Sequence, residues 1–327
     1  MHMNSANEIQ QALFDRIQQS GATAHDLAKT LHLGLGAVYK RLKGETLLDI
    51  HEIATLTETY NLSLDEIFQP GKGKVSFVFP AMSKPVRQLE QYLSSLLELL
   101  VWVRRLPEVR FYYSTAEVPI FHYLHFPELC AFKLYMWNRM TWELPEWEDK
   151  LFSPEPFIEN KRLQHLREEI IRAYNCLPST EFWPASILNN SLNSIEYCKE
   201  SAAFAHPSDA VLLKEQLATL VLHQKEMAKR GLKFNPDSLP DAGAGAFTLY
   251  HNEIAHTNIT ILLEWNKGRM AFATFDNPNF MHTTDVAFTQ HAATWFSKLR
   301  KRSLLISKDG EKHRNRYFNL LQKQLDH

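Results

Sequence analysis

The sequence predicts a mostly helical protein with a smaller α+β part: five short helices at the N-terminus, then a large helical region ending in a small antiparallel sheet with two helices. Three observations carry that expectation. Apolar residues recur at helical spacing along most of the 327-residue chain. Helix-start signals crowd into residues 23–66. Strand-like runs joined by a tight turn occur only after residue 245.

The N-terminal helices follow from local chemistry. Ile9, Leu13 and Ile17 lie on one face at four-residue spacing. Three capping boxes come next, Thr23 to Asp26, Asp49 to Glu52 and Ser63 to Glu66. In each, a short polar side chain takes a free backbone N–H while the acid three positions on reaches back. Gly21, Gly34, Gly36 and Gly44 fall near the expected breaks. Residues 69–74, Gln-Pro-Gly-Lys-Gly-Lys, hold a proline and two glycines and no apolar side chain. The chain is therefore divided into a domain at 1–69, a linker at 70–74 and a region at 75–327, with a further break considered at the loop 235–245.

Beyond the linker, 75–79 is expected as a strand and 84–106 as a long apolar helix. The stretch 102–157 is aromatic and ambiguous between strand and helix. Helices are expected over 157–174, 186–203 and 208–230, strands over 247–250, 258–265 and 270–275, and closing helices over 285–301 and 309–325. Asn266-Lys267-Gly268 forms the turn of a hairpin.

Composition narrows the function. Hydrophobic residues make up 45% and charged residues 22%, as in a folded chain. Against 37 acids stand 36 bases, a net charge of −1, which excludes wholesale electrostatic coating of nucleic acid but leaves room for a local basic face. Cys130, Cys176 and Cys198 lack metal-ligand spacing and suit free thiols in a reducing cytosol. The longest apolar run, 96–103, is interrupted by Glu98 and falls short of the ~20 residues that span a bilayer. No membrane partner and a cytoplasmic location are expected.

One basic patch stands out. Between Lys29 and Lys43 lie four bases (Lys29, Lys40, Arg41, Lys43) and no acid, in a segment 1–70 that is acidic as a whole. The unit 27–68 contains Leu27-Ala28, Leu31, Leu33, Ala37-Val38-Tyr39, Leu42, Gly44 and the closing run Tyr60-Asn61-Leu62-Ser63-Leu64-Asp65-Glu66-Ile67-Phe68. It resembles the Cro/C1-type (XRE-like, lambda-repressor-like) helix-turn-helix family. The resemblance covers about a fifth of the chain. It implies a transcriptional regulator that binds double-stranded DNA as a homodimer, with the second helix of the motif in the major groove. Thr23, Lys29, Leu35, Tyr39, Lys40, Arg41 and Lys43 are the implied DNA contacts. The departure lies at the start of that helix, where Gly34-Leu35-Gly36 replaces the usual polar side chains, and at the turn, where His32 replaces glycine. Glycine and leucine make no bidentate bond to a base. That leaves base reading to Tyr39, Lys40 and an apolar contact from Leu35, binding by shape, or a protein-interaction adaptor that no longer reads DNA.

The remainder is expected to dimerise and to sense a small-molecule effector, without a cofactor, a metal or catalysis. The helix around Leu93, Leu96, Leu97 and Leu100 is a dimer element or an internal helix. The aromatic stretch is core with a pocket inside it, and His122, His125 and Arg139 are its polar candidates. His251, Glu253 and His256 lack a recurring ligand spacing, Cys198 lacks a base, and Gly243-Ala244-Gly245 precedes a strand and so forms a flexible loop rather than a phosphate cradle. Lys298, Arg300, Lys301, Arg302, Lys308, Lys312, Arg314 and Arg316 form a second basic cluster, a solvated face or an anion-binding one.

Overall fold

A computed structural model describes residues 5–60, 62, 64, 67, 73–83, 86–254 and 259–326. Four helices open it: α1 (Ala6–Gln19), α2 (Ala24–Thr30), α3 (Leu35–Leu42) and α4 (Ile50–Thr59). The capping boxes at Thr23 and Asp49 form as expected, and a further one at Ser5 and Glu8 starts α1. The box at Ser63 and Glu66, and with it the expected fifth helix, lies largely outside the described residues, as does most of the linker at 70–74. These helices share a core of their own, built on Leu13, Phe14, Ile17, Leu27, Val38 and Leu56. Gln10, 5% exposed, locks α1 to the stretch after α3. Its Nε2 donates to the carbonyls of Arg41 (2.7 Å) and Thr46 (3.0 Å), and its Oε1 accepts from the Leu48 amide at 2.6 Å.

The rest of the chain is organised on a sheet larger than the expected C-terminal one. Its strands are β1 (Arg110–Ser114), β2 (Ser179–Trp183), β3 (Phe247–His251), β4 (Thr260–Trp265), β5 (Gly268–Asp276), β6 (Asn279–Thr283) and β7 (Leu304–Leu305). They form a seven-stranded mixed sheet in the order β6-β5-β4-β1-β2-β3-β7. The pairs β1–β2 and β2–β3 are parallel; the other pairs are antiparallel. Parallel neighbours need long crossovers. Here α6 (Ile120–Tyr123), α7 (Pro127–Met136) and α8 (Lys161–Asn175) lead from β1 to β2, and α9 (Asn189–Glu200) and α10 (Ser208–Arg230) lead from β2 to β3. The strands β2 and β3, before and after the loop 235–245, pair directly in one sheet. Gly245 there is closely packed rather than free: an added Cβ would sit 2.6 Å from the Leu177 carbonyl oxygen. The stretch 75–79 is not a strand; only Val78 bridges to His282.

Strand pleating gives the sheet two unlike faces. Tyr112, Phe182, Leu262 and Ala271 point to a thin layer made by α11 (Val286–Arg302) through Ala292, Phe296 and Leu299. Phe111, Tyr113, Glu181, Trp183, Phe247, Ile261 and Leu263 point to the main core, with α5 (Leu89–Arg104), α6 to α10 and α12 (Glu311–Leu325).

At the centre of that thick face Glu181 is fully buried. Its carboxylate accepts from His122 Nε2 (3.0 Å), Trp183 Nε1 (3.0 Å), Ser179 Oγ (3.1 Å) and the Tyr174 hydroxyl. Burial alone would raise its pKa, but His122, then Lys233 and Tyr174, overcome that and bring it down to about 2. Lys233 lies 3.3 Å from the Tyr174 ring centre and donates to the Leu177 carbonyl at 2.8 Å. Burial brings its pKa down to about 7, against an opposing pull from Glu181.

Replacing Glu181 by alanine strands four donors at once. The expected loss is about 3–5 kcal/mol of unfolding free energy, read from urea midpoints. A loss under about 1 kcal/mol would contradict this account of the core. Since Glu181 is held below its ordinary value of 4.5, its contribution is complete above that pH and declines as pH falls toward about 2. Wild-type stability is therefore expected to drop in that window more steeply than that of Glu181→Ala.

Candidate functional site

The α2–turn–α3 unit is held by its core and by the turn itself. His32 takes the left-handed conformation, φ 52°, that the expected glycine would supply. The Leu33 amide then reaches the Ala28 carbonyl at 3.0 Å, closing the C-terminal end of α2. Val38 points inward with no exposed surface. Gly36, Tyr39, Lys40 and Lys43, spaced three and four apart along the opposite face, are exposed, and Tyr39 is 50% exposed. Lys29 is exposed as well, and Leu35 is half-buried at the first turn of α3. The domain meets the rest of the chain through a different surface. Arg16 on α1 donates to the Thr284 carbonyl at 2.6 Å and lies 3.7 Å from the Asp285 carboxylate.

Two of the sequence-derived contacts are placed differently. Thr23 is exposed, but its hydroxyl and amide are engaged with Asp26 as the cap of α2. Arg41 turns back onto α4. Its Nε donates to Glu52 at 3.0 Å and a second nitrogen lies 2.7 Å from the other carboxylate oxygen, with both side chains largely buried. That makes Arg41 a clamp between α3 and α4. Charge counting along the sequence could not separate it from Lys40 and Lys43, because the acid that neutralises it sits on the next helix.

The aromatic stretch is mainly core, and part of it, with Phe111, Tyr113 and Phe121, lines a cavity, but the three polar candidates lie elsewhere. His122 is buried against Glu181, with its Nδ1 facing the Gln224 amide at 3.1 Å. His125 packs edge-on against the His223 ring, and burial brings its pKa down to about 3. Arg139 donates to the Tyr135 hydroxyl at 2.8 Å. None of the three lines the large cavity. That cavity, of about 960 Å³, lies between α5 and the β1, β4, β5 and β6 side of the thick face. Leu96, Leu99, Leu100 and Val103 form one wall, and Phe111, Ile261, Leu263 and Phe272 form the other. Helix α5 thus turns its apolar stripe inward, against α8 and this cavity, rather than offering it for dimer contacts.

The remaining candidates have structural roles. His251 lays its ring 4.6 Å from that of Tyr317, Glu253 is exposed, and His256 lies outside the described residues. Cys198 is buried beside Met136, and burial pushes its thiol up to about 11. In the C-terminal basic cluster Arg314 is buried and donates to the Lys308 carbonyl at 2.8 Å, while the other members are exposed.

No family model matches the chain, and no curated protein or solved structure matches it.

The Arg41–Glu52 clamp generates a direct expectation. Arg41→Ala and Glu52→Ala should each lower the stability of residues 5–60 by about 1–3 kcal/mol, and the double variant should be little worse than either. Thermal unfolding followed by circular dichroism checks this. Fully additive losses would show that the two side chains act independently.

Proposed function

We propose that the protein is a DNA-binding transcriptional regulator. In this reading 1–69 is a five-helix, lambda-repressor-like head, 70–74 a linker, and 75–327 a cytoplasmic effector and dimerisation region without catalytic activity. The observation that carries the reading is the outward stripe of α3. Lys40 and Lys43, with Lys29 on α2, are exposed on a scaffold whose core holds the opposite face, with no acid between Lys29 and Lys43. A short cationic helix presented this way suits a duplex groove, with lysines on phosphates. The resemblance of residues 27–68 to the Cro/C1-type family points the same way. Two heads are needed to span half-sites about one helical turn apart, so the working unit in this reading is a homodimer.

The glycines fit the same scheme. Gly34 and Gly36 have ordinary negative φ, and an added Cβ at either would meet nothing within 4 Å. The fold itself therefore does not require glycine there. Bare backbone at the start of α3 permits close approach of a ligand surface, which replaces side-chain base reading by contact with shape and phosphate.

The test is fluorescence polarisation with the duplex upstream of the protein's own gene, across a salt series. Binding should weaken steeply with salt, and Lys40→Ala with Lys43→Ala should reduce the slope by about 2, one for each lysine–phosphate pair removed. Gly36→Ala should leave the fold as stable or up to about 1 kcal/mol more stable, yet weaken DNA binding. Absence of binding even at about 50 mM salt would remove the regulator reading in favour of the adaptor.

A further inference from the structure

The cavity under α5 combines three features: size, an apolar lining and cations where it opens. Its volume of about 960 Å³ is at the upper end of the roughly 300–1,000 Å³ typical of small-molecule sites. Its walls are aliphatic and aromatic, which suits a hydrocarbon body. Inside, Tyr113 is 4% exposed and, among the described residues, its hydroxyl has no hydrogen-bond partner. Arg87 and Arg162 are exposed members of the lining, and among the described residues neither guanidinium is in an ion pair. Glu90 lies at the same opening, where it accepts from Asn160 Nδ2 at 2.9 Å. Two exposed arginines thus share the lining with one carboxylate that is already engaged. His282 also lines the cavity, and burial holds its pKa below the ordinary 6.5, so it adds little charge at neutral pH.

The segment that leads from the N-terminal helices to α5 forms part of the cavity wall. Pro80, Ala81, Val86 and Arg87 belong to it. Val78 is zipped to His282 by reciprocal backbone hydrogen bonds of 2.8 and 2.9 Å, while Phe77 and Phe79 pack on Phe288 and Phe275. A molecule in the cavity touches both the strand that anchors this connector and the connector itself.

We infer that the cavity binds an amphipathic anion, a long apolar chain with one carboxylate-type head, the chain between α5 and the sheet and the head on Arg87 and Arg162, and that occupancy resets the connector to the N-terminal domain. The ligand site stands by itself; only its effect on DNA rests on the regulator reading. Arginine is suited to the head because its planar fork engages a carboxylate through two bonds. Coupling requires the ligand to bind one connector arrangement better than another, which wall contacts from Ala81 and Val86 provide.

Calorimetry on the full chain with dodecanoate tests the site. Saturable binding of one dodecanoate per chain is expected, weakened about tenfold in Arg87→Gln with Arg162→Gln, exposed positions whose loss spares the fold. Dodecanol should bind wild type no better than dodecanoate binds that double variant. Leu99→Trp, which fills the cavity from a half-buried position, should abolish binding. No saturable dodecanoate binding by natively folded protein would overturn the assignment, as would binding indifferent to all of these changes. In the DNA assay, dodecanoate should shift duplex affinity in wild type and not in Leu99→Trp. Ligand binding without any shift overturns the coupling alone, whereas absence of DNA binding refutes the regulator reading and leaves the calorimetric result standing.

Discussion

A carboxylate with no exposed surface organises the larger part of this molecule. Burying Glu181 without compensation would be prohibitive, so donors from β2 itself, from α6 and from the end of α8 must all converge on it. That convergence ties β2 to α6 and α8 of the first crossover; Gln224 on α10, 3.1 Å from His122 Nδ1, and Lys233 after α10, which donates to the Tyr174 and Leu177 carbonyls, add the second. A fully satisfied polar centre in an apolar core restricts the sheet and helices to one arrangement more sharply than apolar packing alone.

With one half of the thick face clamped in this way, the other half is free to differ. Between α5 and β1, β4, β5 and β6 a chamber remains, and the buried Glu117–Lys133 pair, at 2.7 Å with Asn277 donating to Glu117, lies outside its lining. Close-packed interiors rarely keep a void of that size for structural reasons. The chamber also borders the connector to the N-terminal helices, so the proposed ligand site and the proposed regulatory route share one wall. The N-terminal unit meets the body through Arg16 on α1, which leaves the outward stripe of α3 unobstructed by that contact.

How much of this was legible in the sequence depended on the range of the interactions involved. Helix α10 matches the expected 208–230 because long apolar periodicity and a left-handed Gly231 are both local signals. The β4–β5 hairpin was legible for the same reason, through its turn at Asn266 and Lys267. Strands β1 and β2 were not. Each has five residues, and in β2 Glu181 interrupts what would otherwise be an apolar run, its partners lying far away in sequence. Residues 75–79 have strand-like composition, yet only the edge at His282 is there to receive them. In the candidate site, the exposure of Tyr39, Lys40 and Lys43 followed from helical spacing, whereas the withdrawal of Arg41 onto Glu52 depended on how α3 and α4 cross. The cavity was legible only through Phe111, Tyr113 and Phe121 of the aromatic stretch, since its other walls come from α5, β4, β5, β6 and the connector.

Amide hydrogen exchange of the full chain, measured with and without the duplex upstream of its gene, tests the central claim most directly. Slowed exchange is expected over residues 27–46, centred on α3, with the C-terminal cluster 298–316 changed little. Protection confined to that cluster, or an unchanged α3 in the presence of bound duplex, would contradict the account.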